Sequence, residues 1–229
     1  MLVRDGAAGV EVYLTRRSAR SSFVPDAYVF PGGAVEPQDR EPDIRACLNA
    51  ELPAPELAIA AVRELFEEAG ILLAVDASGR PAALDDARRR NAREALLRGT
   101  PFVDIVREAG LMLDARNLHA YSNWITPLEE PKRFDTHFFA ARLPAGQTPK
   151  DDAREVSDGR WFRPDDALRA ADRGELTIIF PTRKHLERIG AAPDADAFLA
   201  HARARAYEPV LAVWLGGNEF GLPAGRDQW

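Results

Sequence analysis

The sequence predicts an α/β fold, a mixed sheet sandwiched between helices, built as one domain over residues 1–229. Three observations predict it. Short segments with apolar residues at every second position read as strands. Segments opened by proline or closed by glycine, with apolar residues at helical spacing, read as helices. The two kinds interleave with helices of unequal length, which favours a mixed sandwich over a repeated βαβ wheel. No fixed-period repeat, composition shift or low-complexity linker divides the chain.

The elements follow in order. Gly9–Arg16 (GVEVYLTR) alternates Val10, Val12 and Leu14 with polar neighbours and reads as a strand. Ala27–Phe30 is a short strand running into the double glycine Gly32–Gly33. The stretch EPQDREPD that follows is turn-rich, with Pro37 and Pro42 as helix breakers. A short helix is expected around Ile44–Ala50, ending near Pro53 and Pro55. A stronger one follows over Glu56–Ala69, with Gly70 just past its end, where glycine is favoured. Residues 82–113 are helix-prone throughout and read as an insertion. Strands are then expected over Ala120–Thr126, Arg133–Leu143 and Arg154–Phe162. PDDALRAAD and PTRKHLERIG each begin with proline, a favourable first helical residue, and the second opens a helical C-terminal extension over about 181–229.

Composition limits the function classes. The chain is 46% hydrophobic and 29% charged, as soluble globular proteins are. Its apolar runs fall short of the ~18–20 residues that span a bilayer. The N-terminal segment MLVRDGAAGVEVYL is too charged for a secretory signal, and Cys47 is the only cysteine, so neither an intrachain disulfide nor a cysteine metal site is expected. Cys47 reads as a small apolar filler. These features point to a cytoplasmic protein. The net charge of −6 argues against nucleic acid as partner, and the basic run Arg88–Arg90 reads as a solvated helix face. A polyanionic ligand would need a metal or a few well-placed arginines.

Candidate chemistry gathers in AVRELFEEAG. At about 100° per residue, Glu64, Glu67 and Glu68 share an arc of roughly 100° on a helical wheel. Ala58, Val62, Leu65, Phe66 and Ala69 fall on the opposite, core-facing side. Arg63 stands four residues before Glu67, within reach of an ion pair that would orient that carboxylate. Three acids on one turn repel one another unless a cation lies between them, and a hard divalent ion, Mg²⁺ or Mn²⁺, suits an all-oxygen set. The competing reading is a solvated acidic face. A Gly-Gly bend lets the backbone approach a ligand or metal closely and can offer a carbonyl oxygen as a further ligand, although such bends are more often tight turns.

Taken together, PGG and RELFEEAGI resemble the two halves of the Nudix box, G-x5-E-x7-R-E-U-x-E-E-x-G-U with U aliphatic. The second half is complete in Arg63, Glu64, Leu65, Glu67, Glu68, Gly70 and Ile71. Gly33 precedes Arg63 by thirty positions instead of fourteen, so about sixteen residues are inserted, with EPQD opening the insertion. Counted back from Arg63, the middle glutamate of the box falls at Pro55, with Glu56 one place away. An insert at this point resembles the acyl-coenzyme A diphosphatase branch of Nudix hydrolases. So do the approach through Arg17, Ser18, Phe23, Pro25, Ala27, Val29, Phe30, Gly32 and Gly33, the strand KRFDTHFF from Lys132, and Trp124–Pro127 before it. The likeness covers roughly residues 9–165. The coenzyme A signature is matched at Leu14, Thr15, Arg17, Ser18 and Phe30–Gly33, whereas its arginine and glycine positions hold Ser22 and Asp26.

The resemblance implies a Nudix-type α/β/α sandwich with a mixed sheet and a helical insertion. It implies metal-dependent hydrolysis of a pyrophosphate linkage in a nucleoside diphosphate derivative, coenzyme A or acyl-coenzyme A first, with two or three Mg²⁺ or Mn²⁺ ions. Glu64, Glu67 and Glu68 are the expected metal ligands with the Gly33 carbonyl, and Arg63 orients Glu67. Glu64 is the first candidate for general base, and Glu155 the alternative from outside the box. Arg17 and Arg133 are candidates for holding substrate phosphates, and Phe30 and Gly32 for contacting substrate. Tyr121 and Trp124 could stack on adenine but read as core, and His137 reads as a packed histidine. Two other functions stay open: an ADP-ribose or NADH-type dinucleotide pyrophosphatase, and a non-catalytic Nudix-like binding module. The helical insert and C-terminal extension could cap the substrate or form a homodimer.

Overall fold

The computed structural model describes residues 1–19, 24–82, 84–130, 132–150, 156–216 and 219–225. The strands are β1 (Leu2–Gly6), β2 (Gly9–Arg17), β3 (Ala27–Val29), β4 (Ala74–Val75), β5 (Met112–Leu113), β6 (His119–Ile125), β7 (Asp135–Arg142), β8 (Val156–Phe162), β9 (Thr177–Ile178), β10 (Val210–Leu211), β11 (Val213–Gly216) and β12 (Glu219–Gly221). The α-helices are α1 (Pro42–Arg45), α2 (Pro55–Ala69), α3 (Asp86–Leu97), α4 (Phe102–Glu108), α5 (Pro164–Asp172), α6 (Phe180–Gly190) and α7 (Ala195–Ala204). Among the described residues, no helix is long and apolar enough to cross a membrane.

The main sheet is mixed and runs β10-β6-β7-β1-β2-β3-β9, with β8 also on β2. Strand β2 organises it. One edge pairs with β1 through Val12↔Val3 and further along with β3 through Thr15↔Val29, while the other edge pairs with β8 through Val12↔Phe162. Because side chains alternate across a strand, the sheet has two apolar faces. Leu2 and Tyr13 enter a core with α2, α4 and β5, through Ile59, Val62, Phe66, Phe102, Val106 and Leu113. Val3, Val12 and Leu14 enter the opposite core with α6 and α7, through Leu186, Ile189 and Phe198. The arrangement is the expected α/β sandwich.

Several boundaries differ from the sequence reading, each for a local reason. Strand β1 was not expected, because Arg4 and Asp5 mask its alternation; those two charges are satisfied sideways, by Glu11 at 2.8 Å and Arg142 at 2.6 Å. The helix expected over Ile44–Ala50 stops at Arg45, and Leu48 instead bridges Leu113. Residues 82–113 are not helical throughout. Gly99 in a left-handed conformation (φ 97°) and Pro101 at the cap separate α3 from α4, and the segment ends as strand β5. The C-terminal segment is helical only as far as Ala204, after which apolar residues form β10, β11 and β12.

The insertion inside the motif and the insertion at 82–113 fold against each other. Leu113 N–H donates to the Cys47 carbonyl (2.8 Å), Asn49 N–H to the Leu113 carbonyl (3.1 Å), and Arg107 pairs with Asp43 at 3.0 Å. Cys47 is buried in this junction as an apolar filler.

Candidate active site

Helix α2 sets the site. Proline at its first turn fixes the entry, and Gly70 ends it in a left-handed conformation (φ 66°), its amide on the Phe66 carbonyl at 3.0 Å. A helix leaves its last four carbonyls without intrahelical partners. Here Gly70 takes that of Phe66, Arg93 those of Glu67 and Glu68 (2.6 and 2.8 Å), and Lys150 N–H that of Ala69 (2.8 Å). Arg93 comes from the 82–113 insertion, so that insertion fixes the turn that carries the acids. Its role left no local signal in sequence.

The acids are not a solvated face. Glu64 and Glu68 are each only 8% exposed, whereas unpaired carboxylates are rarely buried so far. For Glu64 the reason is Arg63, which is fully buried, with all five of its N–H donors engaged. Nε and Nη2 grip Asp39 bidentately (3.0 and 2.9 Å), and Nη2 also reaches the Ala34 carbonyl (2.9 Å). Nη1 donates to Glu64 Oε1 and Glu67 Oε2, both at 2.9 Å. Burial alone would pull this guanidinium's pKa down, but Asp39, Glu64 and Glu67 outweigh burial and raise it above the ordinary arginine value. The expected Arg63–Glu67 pair is present, and Arg63 orients two acids instead of one. The third, Glu68, accepts the Gly32 amide at 3.0 Å, which pins the double-glycine loop onto the helix.

Asp39 is the residue that sequence reasoning missed. Counting forward from Gly33, it occupies the sixth position, where the box carries its first glutamate; counting back from Arg63 had given Pro55. The sixteen extra residues therefore follow Asp39, and EPQD closes the first half of the motif instead of opening the insertion. The signal was present: a carboxylate at the right distance from the glycine. The Glu36 amide donates to Asp39 (2.8 Å), and Gln38 links Glu36 Oε2 (2.6 Å) to the Phe102 amide (3.2 Å), which ties the loop to the second insertion.

Gly33 faces Glu64 closely. A Cβ there would lie 2.5–2.6 Å from the Glu64 carboxylate, nearer than real Cβ contacts occur. Alanine at Gly33 would push Glu64 off Arg63, whereas the exposed backbone at this position has no left-handed φ to strain. The expected result for Gly33→Ala is a roughly ten- to hundred-fold fall in kcat/KM, the penalty for misplacing a catalytic group by about 1 Å, with a melting temperature close to the parent's. Steady-state kinetics beside a thermal melt checks it.

The other candidates fall in different places. Gly32 is exposed beside the acids, but the Phe30 ring is buried against Phe138 and His185, so its side chain is a core group and not a substrate surface. Arg17 pairs in register with Val156, one residue beyond the Arg16↔Tyr28 pair, at the end of β3 remote from the double glycine. Arg133 is exposed, with its Nε on the Thr126 carbonyl (3.2 Å). Neither arginine touches the acidic turn in the contacts described. Glu155 lies outside the described residues. Tyr121 and Trp124 are buried, as expected of core aromatics. His137 is half-buried beside Asp135 (3.5 Å), not packed as expected, near the exposed start of β7.

A buried pair, Ser122 and His185, resembles a nucleophile and its base, and its surroundings exclude that role. His185 Nδ1 faces the Pro181 carbonyl (2.6 Å) and must carry the proton, so Nε2 accepts from the Ser122 hydroxyl (2.7 Å). Phe30, Tyr121, Trp124 and Phe138 enclose the ring, and burial pushes its pKa down to about 3.

Among the described residues, no three carboxylate, imidazole or thiol groups are disposed to hold a metal ion as the chain stands. Arg63 draws Glu64 and Glu67 together, and Glu68 turns to Gly32. The donor set nevertheless suits a hard divalent cation. It offers three carboxylates within two helical turns, all oxygen donors, with the Glu64 carboxylate close against Gly33.

A family model described as the NUDT19 Nudix domain matches residues 52–189. The acyl-coenzyme A diphosphatase NUDT19 of Xenopus laevis is 29% identical over 232 residues, covering 81% of this chain and 61% of that protein. The human protein of the same name is 27% identical over 229 residues, covering 80% and 61%. The chain thus spans about 61% of the length of these curated relatives. Among solved structures, a NUDIX hydrolase from Alicyclobacillus acidocaldarius aligns with a TM-score of 0.76 at 29% identity, covering 87% of this chain and 92% of that one.

Proposed function

Because the chain belongs to the Nudix hydrolase family, we propose that it hydrolyses the pyrophosphate linkage of coenzyme A or an acyl-coenzyme A. Adenosine 3′,5′-bisphosphate and a phosphopantetheine would be the products. The observation that carries the reading is the clamp of Arg63 on Glu64 and Glu67, opposite the exposed Gly32–Gly33 backbone that Glu68 holds in place. The relatives named acyl-coenzyme A diphosphatase supply the substrate class.

Glu64, Glu67 and Glu68 with the Gly33 carbonyl would hold Mg²⁺ or Mn²⁺. Such ions neutralise phosphate oxygens and acidify the attacking water. The chain's own residues do the rest. Arg63 aims two carboxylates, and Glu64, bound to Arg63 through Oε1, accepts the proton as water attacks one phosphorus and the bridging P–O bond breaks. Gly32 and Gly33 let the diphosphate approach the backbone without a side chain in the way.

The departure of the chain from the coenzyme A signature at Asp26 has a structural basis. Asp26 adopts a left-handed conformation (φ 62°) and pairs with Arg16 at 2.8 Å. That conformation is one glycine takes freely and aspartate tolerates, so the loop keeps its turn without the glycine. Mass spectrometry of products from a panel of coenzyme A, acyl-coenzyme A, ADP-ribose and NADH, with Mg²⁺ or Mn²⁺, tests the assignment. Phosphopantetheine release is the expected result; rapid ADP-ribose cleavage with intact coenzyme A esters would overturn it.

A further inference from the structure

The arginine-rich face of α3 does more than meet solvent. It forms one wall of a cleft of about 460 Å³, closed by Gly70 at the end of α2 and by Thr148 and Lys150. Arg89, Arg90, Arg93, Arg98 and Lys150 line it, against two carboxylates, Asp86 and Glu94. Among the described lining residues that is an excess of three positive charges, in a chain whose formal net charge is −6. Arg89 is 5% exposed, with Nη2 on Asp86 at 2.7 Å. Its Nη1 is buried with no hydrogen-bond partner among the described residues. Leaving a charged donor desolvated and unmade is costly, and Arg89 is among the residues that line the cleft.

We propose that this cleft binds a dianionic phosphate group. Arginines in a fork and a lysine are the side chains that recognise phosphate oxygens. The cleft also touches the catalytic element, because Arg93 donates to the Glu67, Glu68 and Lys150 carbonyls. An occupant would therefore sit directly behind the acidic turn. Two sources share this chemistry, a phosphomonoester on a nucleotide and free inorganic phosphate. Binding to the cleft does not depend on the proposed substrate.

Calorimetric titration of the full chain in EDTA, which removes any contribution from bound divalent metal, separates the outcomes. The probes are adenosine 3′,5′-bisphosphate, adenosine 5′-monophosphate and inorganic phosphate. Binding of at least one is expected, weakened about ten-fold by Arg90→Gln and unchanged by Arg88→Gln. The second is an exposed arginine of the same helix that does not line the cleft. Preference for the bisphosphate identifies a nucleotide phosphomonoester, and equal binding of inorganic phosphate identifies the free ion. No heat from any probe overturns the proposal. So does equal weakening by both variants. Phosphate binding without coenzyme A hydrolysis would leave the cleft standing and defeat the proposed function, and the reverse pattern would do the opposite.

Discussion

Glutamine at positions 67 and 68 together (E67Q/E68Q) is expected to lower kcat/KM by about a thousand-fold or more and to leave the fold intact. A divalent ion acting on a phosphoryl group supplies several kcal/mol of charge stabilisation, and about 4 kcal/mol is a factor of roughly a thousand. Glutamine keeps an amide oxygen where each carboxylate oxygen was. The Gly32 amide can still donate to residue 68, and Arg63 Nη1 to residue 67, at the positions now seen at 3.0 and 2.9 Å. Asp39 and Glu64 still compensate the buried guanidinium. What disappears is the negative charge that a cation would need. Turnover of the preferred substrate, calorimetric Mn²⁺ titration and far-ultraviolet circular dichroism should be measured on the same preparation. A double variant that turns over at the parent rate would exclude the assignment of these carboxylates as metal ligands.

The acidic turn was legible in sequence because its information is local. Helical spacing alone places Glu64, Glu67 and Glu68 opposite Ala58, Val62 and Phe66, and burial of those apolar residues fixes the helix. Gly70 and the Arg63–Glu67 pair are likewise read from neighbours within four positions. The parts that were not legible depend on residues distant in the chain. Asp39 could be assigned only by choosing the end of the motif from which to count, and its bond to Arg63 spans twenty-four positions. Arg93 carries no local signal, because its role exists only where α3 returns to the end of α2. Strand β1 is five residues with two charges, and its apolar positions, Leu2 and Val3, belong to opposite cores. Phe30 shows the converse error: adjacency to the glycine loop in sequence does not put a side chain in the site, because β3 still directs it inward.

Arg63→Met carries the largest expected effect on stability, a loss of about 3–5 kcal/mol, the range for removing one partner from a buried ion pair. Three features place it there. Asp39 is 1% exposed and would keep only the Glu36 amide among the hydrogen bonds described for its carboxylate. Glu64 and Glu67, now drawn to one nitrogen at 2.9 Å each, would face each other without the cation between them. The Ala34 carbonyl would lose its donor, which would leave the Gly32 amide on Glu68 to hold the loop bearing Gly33. Methionine fills much of the same volume, so the loss reports charge and hydrogen bonding more than a cavity. Urea unfolding should show a lower midpoint at an unchanged m-value. Pairing the change with Asp39→Leu gives the sharper reading. If the clamp is one unit, the double variant should be less destabilised than the two single losses added together, because each single change strands the other's partner. Simple additivity would show instead that Asp39 and Arg63 contribute to the fold through separate contacts, and that the first half of the motif is not held to the second through this pair.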